Sequence, residues 1–165
     1  MKILYLIDRW TGKLLRFIPI TCLASLFVLI FINVVARVLR VTGFAWFDEA
    51  IQGLFAWMVF FGAAALWRER NHFRVDWLAS VLERGFKRLV QCVTVGLSII
   101  FFATVSWYGI VLTLKAGALT PILNMPVRLF YISMPVSASI MLAYSIAELF
   151  ELIIHTKKGR LHNDP

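Results

Sequence analysis

The chain has 165 residues, of which 61% are hydrophobic and 16% charged, whereas ordinary soluble domains have roughly 45–50% apolar and about 25% charged residues. One core of this size cannot bury so many apolar side chains, which excludes a soluble globular domain and indicates a single domain in lipid. The net charge of +8 does not indicate a nucleic-acid partner, because the basic residues lie in short stretches between apolar runs, where they would meet the anionic headgroups of membrane lipids.

Four uncharged segments are long enough to cross a membrane as helices. In chain order they are residues 17–36, 50–67, 89–114 and 129–147. A helix of 20 residues covers about 30 Å, the thickness of a bilayer core. The alternating pattern of a membrane β-barrel is sustained nowhere, and the first segment is longer than the apolar core of a secretory signal peptide. The sequence therefore predicts an all-α membrane protein with four transmembrane helices in one domain, residues 1–165.

The distribution of Lys and Arg predicts the orientation. If both termini are inside, 13 of these residues lie on the inner side and 4 on the outer side. The outer four are Arg37, Arg40, Lys115 and Arg128. Because cytoplasmic loops retain the excess of basic residues, we expect both termini to be cytoplasmic.

Residues 77–90, between the second and third spans, have an amphipathic pattern. Apolar residues recur near helical spacing, and Glu83, Arg84, Lys87 and Arg88 lie mostly on the opposite side. This pattern favours a helix that lies in the cytoplasmic membrane interface. The alternative is a polar loop that leads directly into an over-long third helix.

The spans carry no ionisable side chain near mid-membrane, which argues against a self-sufficient pump, because such groups mark ion pathways. His72, His155 and His162 form no catalytic motif. Cys22 and Cys92 have no metal-ligand spacing. We therefore expect no enzyme activity and no cofactor or metal. A self-assembling small four-helix transporter or channel stays open as an alternative.

The second span carries a stripe of small and polar residues at helical spacing. Its members are Glu49, Gln52, Gly53, Ala56, Phe60, Ala63 and Ala64. Small residues let helix backbones approach closely, so this face suits packing either on the protein's own helices or on a partner. Asp48 and Glu49 also favourably face the positive end of the helix dipole.

In this order on a four-span chain, several motifs resemble the small membrane (Q) subunit of tripartite ATP-independent periplasmic (TRAP) transporters. The motifs are Trp46-Phe47-Asp48-Glu49, WMVFFGAA at 57–64, Arg68, His72-Phe73-Arg74-Val75-Asp76, TPILNMP at 120–126, Tyr131 and Pro135. His72 to Asp76 stand in place of the family's H-hydrophobic-x-V-D pattern. The resemblance covers nearly the whole chain.

This resemblance implies a non-catalytic subunit of the bacterial inner membrane that scaffolds a large multi-span M subunit. M would carry the sodium and substrate sites, and a periplasmic binding protein (P) would deliver an organic acid such as a C4-dicarboxylate, sialic acid or a sugar acid. No ATP is used. The candidate partner interface comprises Trp46, Asp48, Glu49, Gln52, Gly53, Ala56, Arg68, His72 and Asp76.

Overall fold

The computed structural model of the protein describes residues 2–39, 45–70 and 84–160. The helices in these ranges are α1 (Lys2–Val38), α2 (Phe47–Arg70), α3 (Arg84–Lys115), the short α4 (Arg128–Tyr131) and α5 (Ser133–Arg160). Four stretches are long and apolar enough to cross a membrane: Asp8–Val38, Phe47–Glu69, Val90–Lys115 and Arg128–Phe150. They match the four predicted spans, which confirms the all-helical, four-span prediction.

The four long helices pack in a row. Extensive contacts join α1 to α2, α2 to α5, and α5 to α3. Helices α1 and α3 therefore form the two edges of the row. A small core of buried side chains draws one or more residues from each long helix, namely Leu15, Phe61, Ala64, Phe102 and Met141. Most other large apolar side chains of α1 and α3 are exposed, as expected for surfaces that face lipid or another membrane protein.

Aromatic side chains of α2 connect the core to α4 and α5. The Trp57 ring stacks on Phe61, with centroids 5.0 Å apart, and its Nε1 donates a hydrogen bond to the Leu129 carbonyl at 3.1 Å. The Trp67 Nε1 donates to the Ser145 hydroxyl, also at 3.1 Å. Because few polar groups compete for donors inside a membrane, these bonds fix the register of α2 against α4 and α5.

Small residues bring α3 and α5 close together. A Cβ atom at Gly109 would lie 3.1 Å from the ring of Pro135, so the glycine permits the helices to touch there. One turn away, the hydroxyls of Ser106 and Ser139 are 2.8 Å apart. This seam uses the close backbone approach and the interhelical hydrogen bonding that drive helix association in lipid.

The predicted interfacial segment, residues 77–90, is only partly covered. Residues 84–90 are helical and continuous with the third span, because α3 begins at Arg84. Residues 77–83 lie outside the described residues. An interfacial helix in this region stays a prediction.

Candidate interface and its polar clusters

Glu49 joins the first turn of α2 to the loop that precedes α4. Its side chain is buried, with 8% of the residue surface exposed. The two carboxylate oxygens accept hydrogen bonds from the backbone N–H groups of Ile122 and Leu123, each at 2.9 Å. A carboxylate that accepts backbone N–H groups makes strong, charge-assisted bonds. Glu49 therefore holds the loop of residues 116–127 against α2.

The loop of residues 116–127 is closed by its own backbone hydrogen bonds. The Thr120 N–H donates to the Met125 carbonyl at 2.9 Å, and Leu119 forms an isolated antiparallel bridge with Pro126. Asn124 has a φ of 51°, in the left-handed region that asparagine tolerates better than most residues. The loop thus presents a defined shape, with Leu119 and Ile122 exposed.

A second polar cluster joins three helices at the opposite end of α2. The Arg68 guanidinium donates two hydrogen bonds to the Asp8 carboxylate, 3.0 Å from Nε and 2.7 Å from Nη2. The Tyr144 hydroxyl accepts from Arg68 at 3.1 Å and donates to Asp8 at 2.7 Å. A side chain at Gly12 would collide with the guanidinium, so this glycine gives Arg68 its path across α1.

The same two helices form a second, more exposed ion pair. Arg16 Nε lies 2.8 Å from the Glu69 carboxylate, and the two side chains are 63% and 39% exposed. The Arg68 side chain, in comparison, is 23% exposed. Since exposed pairs contribute little to stability, the cluster of Arg68, Asp8 and Tyr144 is the main polar link at this end.

The structure separates the predicted interface residues into two groups. Glu49, Gly53 and Arg68 contact other parts of the same chain: a Cβ atom at Gly53 would lie 2.8 Å from the Phe130 ring, and the bonds of the other two are given above. Asp48 and Gln52 are exposed, Trp46 is 37% exposed and Ala56 is half-buried. His72 and Asp76 lie outside the described residues.

The exposed side of α2 forms a stripe that the sequence pattern alone did not isolate. Its members are Asp48, Gln52, Phe55, Val59, Ala63 and Leu66. They recur every three or four residues and therefore lie on one helix face. We call this set the α2 stripe. It is the part of α2 that is available to another membrane protein.

Two residues of the three-helix cluster, Asp8 and Tyr144, were missing from the predicted interface. Arg68 is separated from them by 60 and 76 positions in the chain, so no local spacing connects the three. The available signal was the position of Arg68 at the edge of a span, where a basic side chain needs an acidic or aromatic partner.

The described residues contain no group of three or more His, Cys, Asp or Glu side chains that could hold a metal ion. Their ionisable side chains lie toward the ends of the spans rather than in the middle. The hydrogen bonds of Glu49 and those of the Arg68, Asp8 and Tyr144 cluster hold parts of the chain together, and the α2 stripe offers a contact surface.

Replacing Gly53 with leucine should disturb the protein itself, because the new side chain would displace the Phe130 ring. We expect a loss of about 1–2 kcal/mol of stability, typical of overpacking, measured as a lower unfolding midpoint in detergent. Ala63→Leu, on the exposed α2 stripe, is the matched control and should leave the midpoint unchanged. Equal midpoints for Gly53→Leu and the wild type would contradict the packing of Gly53 on Phe130.

Comparison with known proteins places the chain among transporter components. Residues 26–155 match the family model of the DctQ component of tripartite ATP-independent periplasmic transporters. A Haemophilus influenzae protein that is named as a TRAP transporter small permease protein is 27% identical over 156 residues, which are 93% of this chain and 96% of the relative.

Proposed function

Since the chain belongs to the family of DctQ components of tripartite ATP-independent periplasmic transporters, we propose that it is the non-catalytic small permease subunit that scaffolds a large M subunit. The observation that carries this proposal is the open row of helices. Its edges and the α2 stripe leave extensive apolar surface without neighbours from the described part of the chain. Surface of this kind suits a multi-pass protein of the inner membrane that packs beside a larger one.

The transport cycle assigned to the complex follows from the family. A periplasmic binding protein delivers an organic acid, such as a C4-dicarboxylate, sialic acid or a sugar acid, and M moves it with sodium. The present chain would steady the fixed part of M in the bilayer. In support, its described charged residues lie near the span ends, and Glu49 and Arg68 are bonded within the chain.

The α2 stripe is the surface that we assign to M. It combines the exposed Gln52 with Ala63, a residue small enough for close backbone contact. Asp48 and Trp46 stand at its outer end, where they can also meet the binding protein. The exposed residues of the predicted interface suit this role better than Glu49 and Gly53. Glu49 is hydrogen-bonded to the backbone of Ile122, and Gly53 packs against the Phe130 ring.

The test of the scaffold function is reconstitution. The chain alone, in liposomes with an inward sodium gradient, should take up no radiolabelled sialic acid or C4-dicarboxylate, because its spans have no mid-membrane ionisable group. Co-reconstitution with partner M and P proteins should restore uptake of one of these acids. Sodium-dependent uptake by the chain alone would instead support the self-assembling transporter.

We also propose that both termini are cytoplasmic. Reporter fusions after residues 42 and 120 should behave as periplasmic, and fusions near residue 75 and at the C-terminus as cytoplasmic, because of the 13 to 4 distribution of basic residues. The polar contacts of Asp8 with Arg68 and Tyr144 support a common side for the two ends of the chain. A cytoplasmic reporter signal at residue 42 would reverse the orientation.

A further inference from the structure

One face of α1 carries basic residues followed by a line of apolar ones. Arg9, Lys13 and Arg16 are spaced by four and three residues, so they lie on the same side of the helix. Farther along α1, exposed apolar residues lie on the same side, namely Ile20, Phe27 and Phe31, which are 65%, 72% and 62% exposed, and the line goes on to Val34 and Val38. We call Arg9, Lys13, Arg16, Ile20, Phe27 and Phe31 the α1 lane. The lane changes from cationic to apolar at the level where the predicted first span begins.

Most of the α1 lane is turned away from α2, and Arg16 at its edge pairs with Glu69 of α2. Gly12 and Leu15, which contact α2, are buried on the adjacent side of α1. Among the described helices, only α2 packs extensively on α1. Apart from the pair of Arg16 with Glu69, the lane is thus open in the part of the chain that the structure describes.

The N-terminal, cationic part of the α1 lane suits an anionic group at a membrane surface. Arg9 and Lys13 are exposed, and the Lys13 ammonium lies 5.8 Å from the ring centroid of Trp10. Trp10 and Phe17 are themselves 67% and 69% exposed beside these cations. Amphipathic aromatic side chains and basic residues together are typical of the headgroup region. Arg16 is already paired with Glu69, which leaves Arg9 and Lys13 as the cations for a ligand.

The apolar part of the lane is long enough for an acyl chain of one lipid leaflet. Ile20 and Phe31 are separated by 11 residues, or about 16 Å along the axis, and half of a bilayer core is about 15 Å thick. We propose that the α1 lane binds one anionic phospholipid, with its phosphate between Arg9 and Lys13 and an acyl chain along Ile20, Phe27 and Phe31. The tests on the isolated chain do not depend on the proposed scaffold function.

Native mass spectrometry of the full chain in detergent tests the proposal. The probes are palmitoyl-oleoyl phosphatidylglycerol and the phosphatidylcholine with identical acyl chains. The wild type should bind the first phosphatidylglycerol about ten-fold or more tightly than phosphatidylcholine, since each basic residue contributes about five-fold near a membrane surface. The double variant Arg9→Gln, Lys13→Gln should lose this preference.

Two further variants decide whether position and charge are responsible. Arg37→Gln with Lys115→Gln removes two exposed cations from the other end of the spans and should keep the preference for phosphatidylglycerol. Arg9→Lys with Lys13→Arg preserves the charge and should also keep it. Retention of the preference by the first double variant, or its loss in either of these controls, would overturn the proposal.

The location of the lipid is measured through Trp10. The fluorescence of Trp10 is the difference between the emission of the wild type and that of Trp10→Phe. Phosphatidylglycerol with a dibrominated acyl chain should quench this fluorescence. The same quenching should persist when the chain is purified together with its large subunit. Loss of quenching in that complex would mean that protein covers the α1 lane, and would overturn the assignment of a lipid.

Discussion

Arg68→Ala is expected to lower the free energy of unfolding by about 3 kcal/mol. The substitution removes a guanidinium that donates two hydrogen bonds to the Asp8 carboxylate and one to the Tyr144 hydroxyl. Hydrogen bonds to charged groups contribute about 1.5–3 kcal/mol each when removed, and the half-exposed Asp8 reduces the total. The measurement is unfolding of the purified protein in mixed micelles with increasing sodium dodecyl sulfate.

The matched control is Arg16→Ala. Arg16 pairs with Glu69 on the same two helices at a similar distance, but 63% of its side chain is exposed. Exposed ion pairs contribute about 0–1 kcal/mol, so this variant should unfold near the wild-type midpoint. Tyr144→Phe removes only the hydroxyl and should cost about 1 kcal/mol. Equal losses for Arg68→Ala and Arg16→Ala would show that the three-helix cluster contributes no more than a surface pair.

The four spans were predictable because lipid imposes a simple requirement on the sequence. A helix must provide about 20 uncharged residues in succession to cross the bilayer core, and residues 17–36 and 129–147 show such runs directly. The helices continue beyond these limits, as α1 begins at Lys2. The end of an uncharged run marks the edge of the membrane, whereas a helix ends where its backbone hydrogen bonding ends, so the two boundaries differ.

The roles of individual polar residues were not predictable in the same way. Asp48 and Glu49 are adjacent acids at the start of α2 and look equivalent in the sequence. Their side chains point in different directions because consecutive positions on a helix are about 100° apart. Only Glu49 meets the backbone of the loop around Ile122, which is 73 positions away. Such a contact depends on how α3 returns the chain to α2, and no local pattern records it.

Small residues posed a related problem. The spacing of Gly53 and Ala63 predicts a surface for close helix contact, and both positions stand in the same stripe of the sequence. In the structure, Gly53 is buried beneath the Phe130 ring, whereas Ala63 is exposed. A small-residue pattern indicates that something packs closely, but it does not distinguish the protein's own helices from those of a partner.

Glu49→Ala is expected to release the loop of residues 116–127 while the four spans stay folded. The change deletes both acceptors of the Ile122 and Leu123 N–H groups. These amides should then exchange with deuterium about ten-fold faster or more, because local opening no longer breaks charge-assisted bonds. The measurement is hydrogen exchange with mass spectrometry of peptides from residues 116–127. Asp48→Ala, which removes the exposed neighbouring acid, should leave the exchange unchanged.

The same pair of variants separates a role within the chain from a role at the partner surface. If Glu49 serves the loop, Glu49→Ala should accelerate exchange at Ile122 and Leu123 in the isolated chain, before any partner is added. If it serves M directly, exchange in the isolated chain should match the wild type and only the recovery of M should fall. For Asp48→Ala we expect the opposite result. Because the Asp48 side chain is exposed, its loss can lower the recovery of M without changing exchange in the loop. Unchanged exchange in Glu49→Ala would therefore contradict the capture of the loop by this carboxylate and return Glu49 to the candidate partner surface.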